Sequence, residues 1–332
     1  MRYQRGFNLI ELMIGLIISL MGLTAVAAMM MAFSKNRGSM AQTQAAQDNG
    51  VMALYRLERD VSQAGYGLMN LQGCTSIVNS GQPSISPVPV RIGDGGAGNS
   101  DTITVQGTNS STGIPGTELS ATVAGGNTMI ANQFNVRSSL GFSVGDRVVA
   151  TALAPSCTLV TVTSVGATAI GFTPALSATS TAGYLAHFGA GAGVPAGEFF
   201  SRTYAIGTTG LTVGDYPLYV TSNLVDDIVF MKAQYGLADT TTSTTVTRWV
   251  SGSTLIDSTN ALRVIALRVG VVARSTKRED DVIDQPNPLP VFDEKPDSSG
   301  GTDVVTYAVP DTHMRYRAYS TIIPLKNVIW TR

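Results

Sequence analysis

The chain has 332 residues, 44% of them hydrophobic and 14% charged, with a net charge of −1. That length accommodates a membrane segment plus one large or two small domains. The near-neutral balance excludes the broadly basic surface on which non-specific nucleic-acid binding rests. No HExxH, P-loop or CxxC pattern occurs, and an enzyme is not expected.

The first 33 residues are almost wholly apolar, and Glu11 is the only charge between Phe7 and Phe33. As a helix this stretch is about 40 Å long at ~1.5 Å per residue, enough to cross a bilayer with tilt. Arg2 and Arg5 before it favour a cytoplasmic N-terminus, although Lys35 and Arg37 follow it. A carboxylate inside such a helix costs roughly 2.5–3.5 kcal/mol on insertion scales, so Glu11 requires a compensating partner. A cleaved signal peptide, with Ala25-Val26-Ala27 as a small-x-small site, leaves both Glu11 and the length unexplained. An uncleaved anchor explains the length alone. Gly15, Ser19 and Gly22 form a small-residue stripe suited to close helix packing, which ordinary membrane-helix composition explains equally well.

The stretch Arg5-Gly6-Phe7-Asn8-Leu9-Ile10-Glu11-Leu12 resembles the class III signal of type IV pilins and type II secretion pseudopilins. The resemblance implies that prepilin peptidase cuts between Gly6 and Phe7, that Phe7 is then N-methylated, and that Glu11 is the assembly carboxylate. Gly6 has no Cβ, which lets a protease approach the backbone closely. The new α-amine of one subunit can pair with Glu11 of a neighbour in low dielectric, where an unpaired charge is costly. Asn8 stands where the family more often has Thr. No proline precedes Pro83, so the helix kink of major pilins is not implied here.

Between 34 and 65 the helix turns amphipathic. Val51, Leu54, Leu57, Val61 and Ala64 follow a 3–4 spacing, which predicts that Leu54, Leu57 and Val61 pack on a globular domain. Gly65 and Gly67 are the stop signals. Residues 7–64 are thus expected as one helix of about 85 Å, with Gly38 and Gly50 as candidate bends.

The segment YRLERDVSQAGYG (55–67) and three later stretches resemble PilW-type minor pilins and the related GspJ-type pseudopilins. Val225–Gly236 reads as one alternating strand with Val229, Met231, Ala233 and Tyr235 on one face. Ala261–Ala273 alternates with Ile265, Leu267, Val269 and Val271 inward. Arg315–Trp330 reads as a final strand-rich piece. The implied fold is α+β: a long N-terminal helix, half membrane and half spine, packed on an antiparallel sheet with an extra β-rich insertion. The corresponding divisions are a leader over 1–6, a transmembrane helix over 7–33, a spine over 34–65, a Gly/Ser/Thr-rich β region over 66–195 and a C-terminal sheet region over 196–332.

Within the β region, Thr102–Gln106, Arg147–Ala152 and Leu159–Val165 are candidate strands. Gly145-Asp146 is a turn signal, and the block over 73–192 reads as a small barrel or an insertion. Residues 275–313 carry five prolines and many acids and read as a surface loop. Beyond a membrane anchor the compartment is oxidising, which makes Cys74 and Cys157 a candidate disulfide; two buried thiols are the alternative. Asp94–Asp101 has the oxygens for Ca²⁺ but no EF-hand pattern, and ordinary turn residues explain it. Asp280, Asp281 and Asp284 read as a solvated charge run. His187 and His313 read as surface residues.

The resemblance implies no cofactor. It implies other minor pilins, the major pilin, prepilin peptidase and the inner membrane as partners, with no nucleic acid. The implied role is a minor pilin of the type IV pilus in a priming or tip complex, periplasmic before assembly and on the cell surface after it. A type II secretion pseudopilin shares every N-terminal feature. A membrane-anchored envelope enzyme or binding protein is the rival from another class.

Overall fold

The computed structural model describes residues 9–71, 73–78, 85–108, 114, 116–120, 129–130, 132–176, 183–189, 199–216, 220–254, 256–257, 260–292 and 305–331. The helix α1 runs from Leu9 to Val61 without interruption through Gly38 or Gly50. Its 53 residues extend about 80 Å. It ends in turns carrying Gly65 (φ 81°) and Gly67 (φ 73°), left-handed positions that glycine adopts without steric cost.

The strands that follow are β1 (Ser76–Val78), β2 (Val90–Gly93), β3 (Thr102–Thr108), β4 (Gly116–Glu118), β5 (Met129–Ile130), β6 (Gln133–Asn135) and β7 (Arg147–Ala150). Next come β8 (Ser156–Val165), β9 (Ala169–Thr173), β10 (Tyr184–Gly189), β11 (Phe199–Ile206), β12 (Gly210–Tyr216) and β13 (Val220–Asp226). The last are β14 (Ile228–Leu237), β15 (Arg248–Ser251), β16 (Val264–Arg274), β17 (Leu289–Pro290), β18 (Thr306–Tyr307) and β19 (Tyr316–Pro324), before a short helix α2 (Lys326–Trp330).

Two antiparallel sheets flank the spine. One has the order β15-β14-β16-β19 and the other β13-β12-β11-β3-β2. Their inner faces share a core with α1, in which Leu57, Val61, Ile103, Val105, Leu211, Met231, Tyr235, Leu267, Val269, Val271 and Ile323 are buried. Ile265, Leu267, Val269 and Val271 face this core, as the alternation predicts. The second sheet draws strands from both sides of position 195. The backbone N–H of Ile92 donates to the Tyr235 hydroxyl at 2.5 Å, joining the two sheets.

Val225–Gly236 is not one strand. The chain turns at Asp227 (φ 57°) and passes from the five-stranded sheet into the four-stranded one. Aspartate tolerates this left-handed geometry, and its carboxylate accepts from Arg274 at 3.2 Å and Thr276 at 2.9 Å. A register shift between Ile228 and Phe230 then puts Ile228 with Met231 in the core and Val229 with Phe230 on the opposite face. A bulge reverses the alternation locally, so Val229 does not share a face with Met231. The end of the chain also differs from expectation: after β19 it forms α2 rather than more strand, with Val328 buried.

Residues 285–292 and 305–316 do more than loop over the surface. Leu289, Val291, Phe292 and Val309 bury themselves against Phe230 and Val272 on the outer face of the four-stranded sheet. Gly270 admits this cover, since a Cβ there would lie 2.5 Å from Val291.

Six further strands form a small closed barrel. The path β4-β10-β7-β8-β9-β6 closes through a bridge between Leu119 and Val136. The Ser120 N–H to Asn135 and Arg137 N–H to Glu118 hydrogen bonds, both 2.9 Å, complete the seam. Its interior is packed with Phe134, Phe142, Val148, Val160, Ile170, Phe172 and Leu185, and the rings of Phe134 and Phe172 stack with centroids 4.1 Å apart. The outer side of β7, β8 and β10 seats on Leu68, Leu71 and Ile77. Cys74 and Cys157 are bonded there with Cα atoms 5.5 Å apart across an 83-residue separation. On the chain-entropy argument such a loop is worth at most about 4–5 kcal/mol.

Candidate assembly site

The N-terminal half of α1 stands clear of the hydrophobic core of the folded chain. From Leu9 to Gly38 every residue is exposed, and Leu16, Ile17, Ile18, Leu20, Met21 and Leu23 are more than half exposed. An apolar helix that is hydrophobic all round belongs in lipid or among other helices. It is the one candidate membrane span among the described residues, with a mean hydropathy of 2.3. Glu11 sits in its first described turn. Gly6 and Phe7 lie outside the described residues.

The second half is built differently. Its buried stripe is Ala46, Gly50, Ala53, Leu57 and Val61. Three of these are small, which lets the helix sink onto the sheet. A Cβ on Gly50 would lie 2.2 Å from the Tyr319 ring. Leu54 packs at the margin of the core. Val51, 54% exposed, faces away together with Met52 and Tyr55. The 3–4 spacing locates the stripe, but small residues rather than Val51 fill its upper part.

Polar contacts fix the spine at both ends. At the end nearer the apolar half, Arg315 holds Glu279 through two hydrogen bonds of 2.5 and 3.1 Å and reaches Ser39 Oγ at 2.7 Å. The Lys277 N–H donates to Gln42 at 3.0 Å. Lys35 pairs with Asp281, a contact that lowers the Asp281 carboxyl and raises the Lys35 ammonium. Asp281 is therefore engaged with the spine rather than merely solvated. At the far end, Asp60 accepts from Arg202 at 3.0 Å and from the Tyr204 hydroxyl. Burial first, then the Asp60 carboxylate, pushes the Tyr204 hydroxyl well above its usual range. Asn327 of α2 caps the spine by donating to the Gln63 carbonyl at 2.9 Å and the Ala64 carbonyl at 3.2 Å.

The residues weighed for metal or proton chemistry have structural tasks. Lys232 Nζ sits among the Asp94–Asp101 oxygens, 2.6 Å from Asp101 Oδ1, 3.3 Å from Asp94 Oδ1 and 2.9 Å from the Gly96 carbonyl. Asp101, 2% exposed, also accepts from the N–H groups of Gly95 and Ala233. The segment therefore has an ammonium at its centre and ties the Asp94–Asp101 turn to β14. His187 is not a surface residue. It is 2% exposed, lies 2.9 Å from Asp146 and meets Phe142 edge to face, because β10 turns it inward. His313 is half-buried, with Nδ1 3.1 Å from the Glu279 carbonyl.

A bare apolar helix continuous with a spine on an antiparallel sheet defines a pilin-like protein. Residues 1–27 match the family described as prokaryotic N-terminal methylation motif, and residues 206–327 match that of type IV pilus-assembly protein W. The two matches support a PilW-type minor pilin. The second covers the run from the end of β11 to α2, and the barrel lies between the matched stretches. No curated protein and no solved structure matches the chain. The apolar helix and the prepilin motif indicate membrane anchoring, and the families imply contact with other pilins and with prepilin peptidase.

Proposed function

We propose that this chain is a structural minor pilin that joins a priming or tip complex of a type IV pilus, with no catalytic role of its own. The observation that carries the reading is the exposed apolar half of α1, with Glu11 in its first described turn, continuous with the methylation-motif match. In this reading the peptidase cuts after Gly6 and Phe7 becomes an N-methylated amine. Glu11 of an adjacent subunit receives that amine within the apolar layer. An unpaired charge there is expensive, so a processed amine next to Glu11 is selected during assembly. The sheet domain and barrel stand in the periplasm until the subunit is extracted into the filament.

Mass spectrometry of the protein from its native host tests this directly. A mature chain starting at N-methylated Phe7 supports the proposal, and one starting at Met1 or Ala28 overturns it. Glu11→Ala is expected to abolish incorporation into filaments while leaving cleavage intact. If deletion of the chain impairs protein secretion and spares pili, the pseudopilus is the correct filament.

A further inference from the structure

Lys232 of β14 meets two carboxylates in a site largely shut away from bulk solvent. Its side chain is 12% exposed, and that of Asp101, which directly precedes β3, is 2% exposed. The three N–H groups of the ammonium go to Asp101 Oδ1 at 2.6 Å, the Gly96 carbonyl at 2.9 Å and Asp94 Oδ1 at 3.3 Å. Asp101 is clamped on both oxygens: the Gly95 N–H donates to Oδ1 and the Ala233 N–H to Oδ2, each at 3.0 Å. Its backbone is held too, since the Asp101 N–H donates to the Met231 carbonyl at 2.8 Å. A cleft of about 320 Å³, with Gly98, Phe230, Gln234 and Thr306 in its walls, opens beside the three side chains. The Lys35–Asp281 pair is the contrast, with side chains 60% and 68% exposed and screened by water.

An amine held against a carboxyl in one geometry is an intramolecular reactant, and effective molarities in such cases reach about 10⁵–10⁸ M. In a low-dielectric site an ion pair can neutralise itself by passing the ammonium proton to the carboxylate. Here that proton runs along the shortest contact, to Asp101 Oδ1. The two remaining N–H groups stay on Gly96 and Asp94, so the freed lone pair points at Asp101. The other oxygen of Asp101 keeps its backbone donor, which is the arrangement that stabilises an oxyanion in acyl transfer. Asp94 completes the set. The Gly96 N–H first, then Lys232, lowers its carboxyl, so it stays ionised and able to accept a proton from the nitrogen.

We propose that Lys232 and Asp101 condense into an intramolecular isopeptide bond, with Asp94 carrying the proton. Lys232 Nζ gives one proton to Asp101 Oδ1, and its lone pair attacks Asp101 Cγ. The N–C bond forms as the carbonyl electrons move onto Oδ2, where the Ala233 N–H receives the charge. Asp94 takes a second proton from the nitrogen and delivers it to Oδ1. The Cγ–Oδ1 bond breaks, the carbonyl re-forms at Oδ2, and Oδ1 leaves as water through the cleft. One ammonium and one carboxylate become one amide and one water, so no oxidant, reductant or cofactor is consumed. The product closes a loop across 131 positions and adds a covalent tie between the five-stranded and four-stranded sheets. It concerns the globular domain alone and holds whichever filament the chain joins.

The test is tandem mass spectrometry of a tryptic digest of the full-length protein, purified from its native host and reduced at its disulfide. Trypsin does not cut after an acylated lysine. The expected product is therefore a branched peptide that joins residues 92–137 to residues 203–248 and is one water lighter than the two together. Lys35 and Asp281 should remain unlinked in the same digest. Asp101→Asn should give the identical branched peptide, with ammonia leaving in place of water, whereas Asp101→Ala and Lys232→Arg should give none. Asp94→Asn should lower the branched fraction at least about tenfold. Cleavage after Lys232 with recovery of linear 92–137 from the folded wild-type protein overturns the bond and leaves an ordinary buried ion pair. Full branching in Asp94→Asn overturns the role given to Asp94. The wild-type and Asp101→Asn digests decide the bond even where Asp94→Asn fails to fold. Processing at Phe7 is read separately from the same digest, so loss of the bond leaves the pilin reading untouched.

Discussion

The two halves of α1 share one backbone conformation and present opposite surfaces. The half over 9–33 is rich in large apolar side chains, all of them exposed in the folded chain. The half over 46–61 buries Ala46, Gly50 and Ala53 and leaves Val51, Met52 and Tyr55 outside. Burial in the second half therefore follows how closely the helix can approach the sheet, not how hydrophobic each residue is. In the first half hydrophobicity is the whole signal, because its solvent is lipid or other helices.

Mutations on the two halves break or sharpen this contrast. Leu57→Ala removes a fully buried side chain and is expected to cost about 2–5 kcal/mol, measured by urea unfolding of the full chain in detergent micelles. Leu16→Ala should leave that unfolding unchanged; an equal loss would mean the two halves fold as one unit. Gly50→Val drives methyl groups into the Tyr319 ring and should cost about 1–3 kcal/mol. Gly15→Val, with nothing within 4 Å, should not alter domain stability. Asp60→Ala strips the Tyr204 hydroxyl and Arg202 of a shared acceptor and should cost about 1–3 kcal/mol.

Acid acts more gently, and on the sheet domain alone. The Gly96 N–H first, then Lys232, holds the Asp94 carboxyl below its ordinary 3.8. A depressed carboxyl contributes stability above its unfolded pKa and loses it as pH falls through the folded value. Domain stability attributable to Asp94 should thus be level from neutral pH down to about 3.8 and decline below it, and Asp94→Asn should flatten that decline in a pH series of melting curves. The smallest effect is expected at the Lys35–Asp281 pair. Both side chains are largely exposed and screened by solvent, so Lys35→Ala should leave domain unfolding unmoved.

Much of this architecture is legible in the sequence because the signals are local. A charge inside an apolar run, a 3–4 repeat ending at glycines, and the alternation of Ala261–Ala273 each need only neighbours to be read. What escapes is set by contacts between distant residues. The turn at Asp227 depends on Arg274 and Thr276, 47 and 49 positions away. His187 is buried because β10 lies between β4 and β7, and nothing adjacent in sequence signals that. Lys232 reaches across 131 positions to occupy the centre of an oxygen-rich turn. The composition of that turn alone reads equally well as a cation site.

The barrel's attachment has a further consequence. Thr108, the last residue of β3, pairs directly with Phe199, the first of β11. The chain leaves the sheet at one rung, builds the barrel, and returns to the facing rung, where a two-residue turn would otherwise suffice. The barrel is thus an excursion from the tip of a hairpin, and its length has no bearing on how that hairpin aligns. Insertions and deletions within it can vary that part of the molecule freely while the hairpin that meets the spine keeps its register.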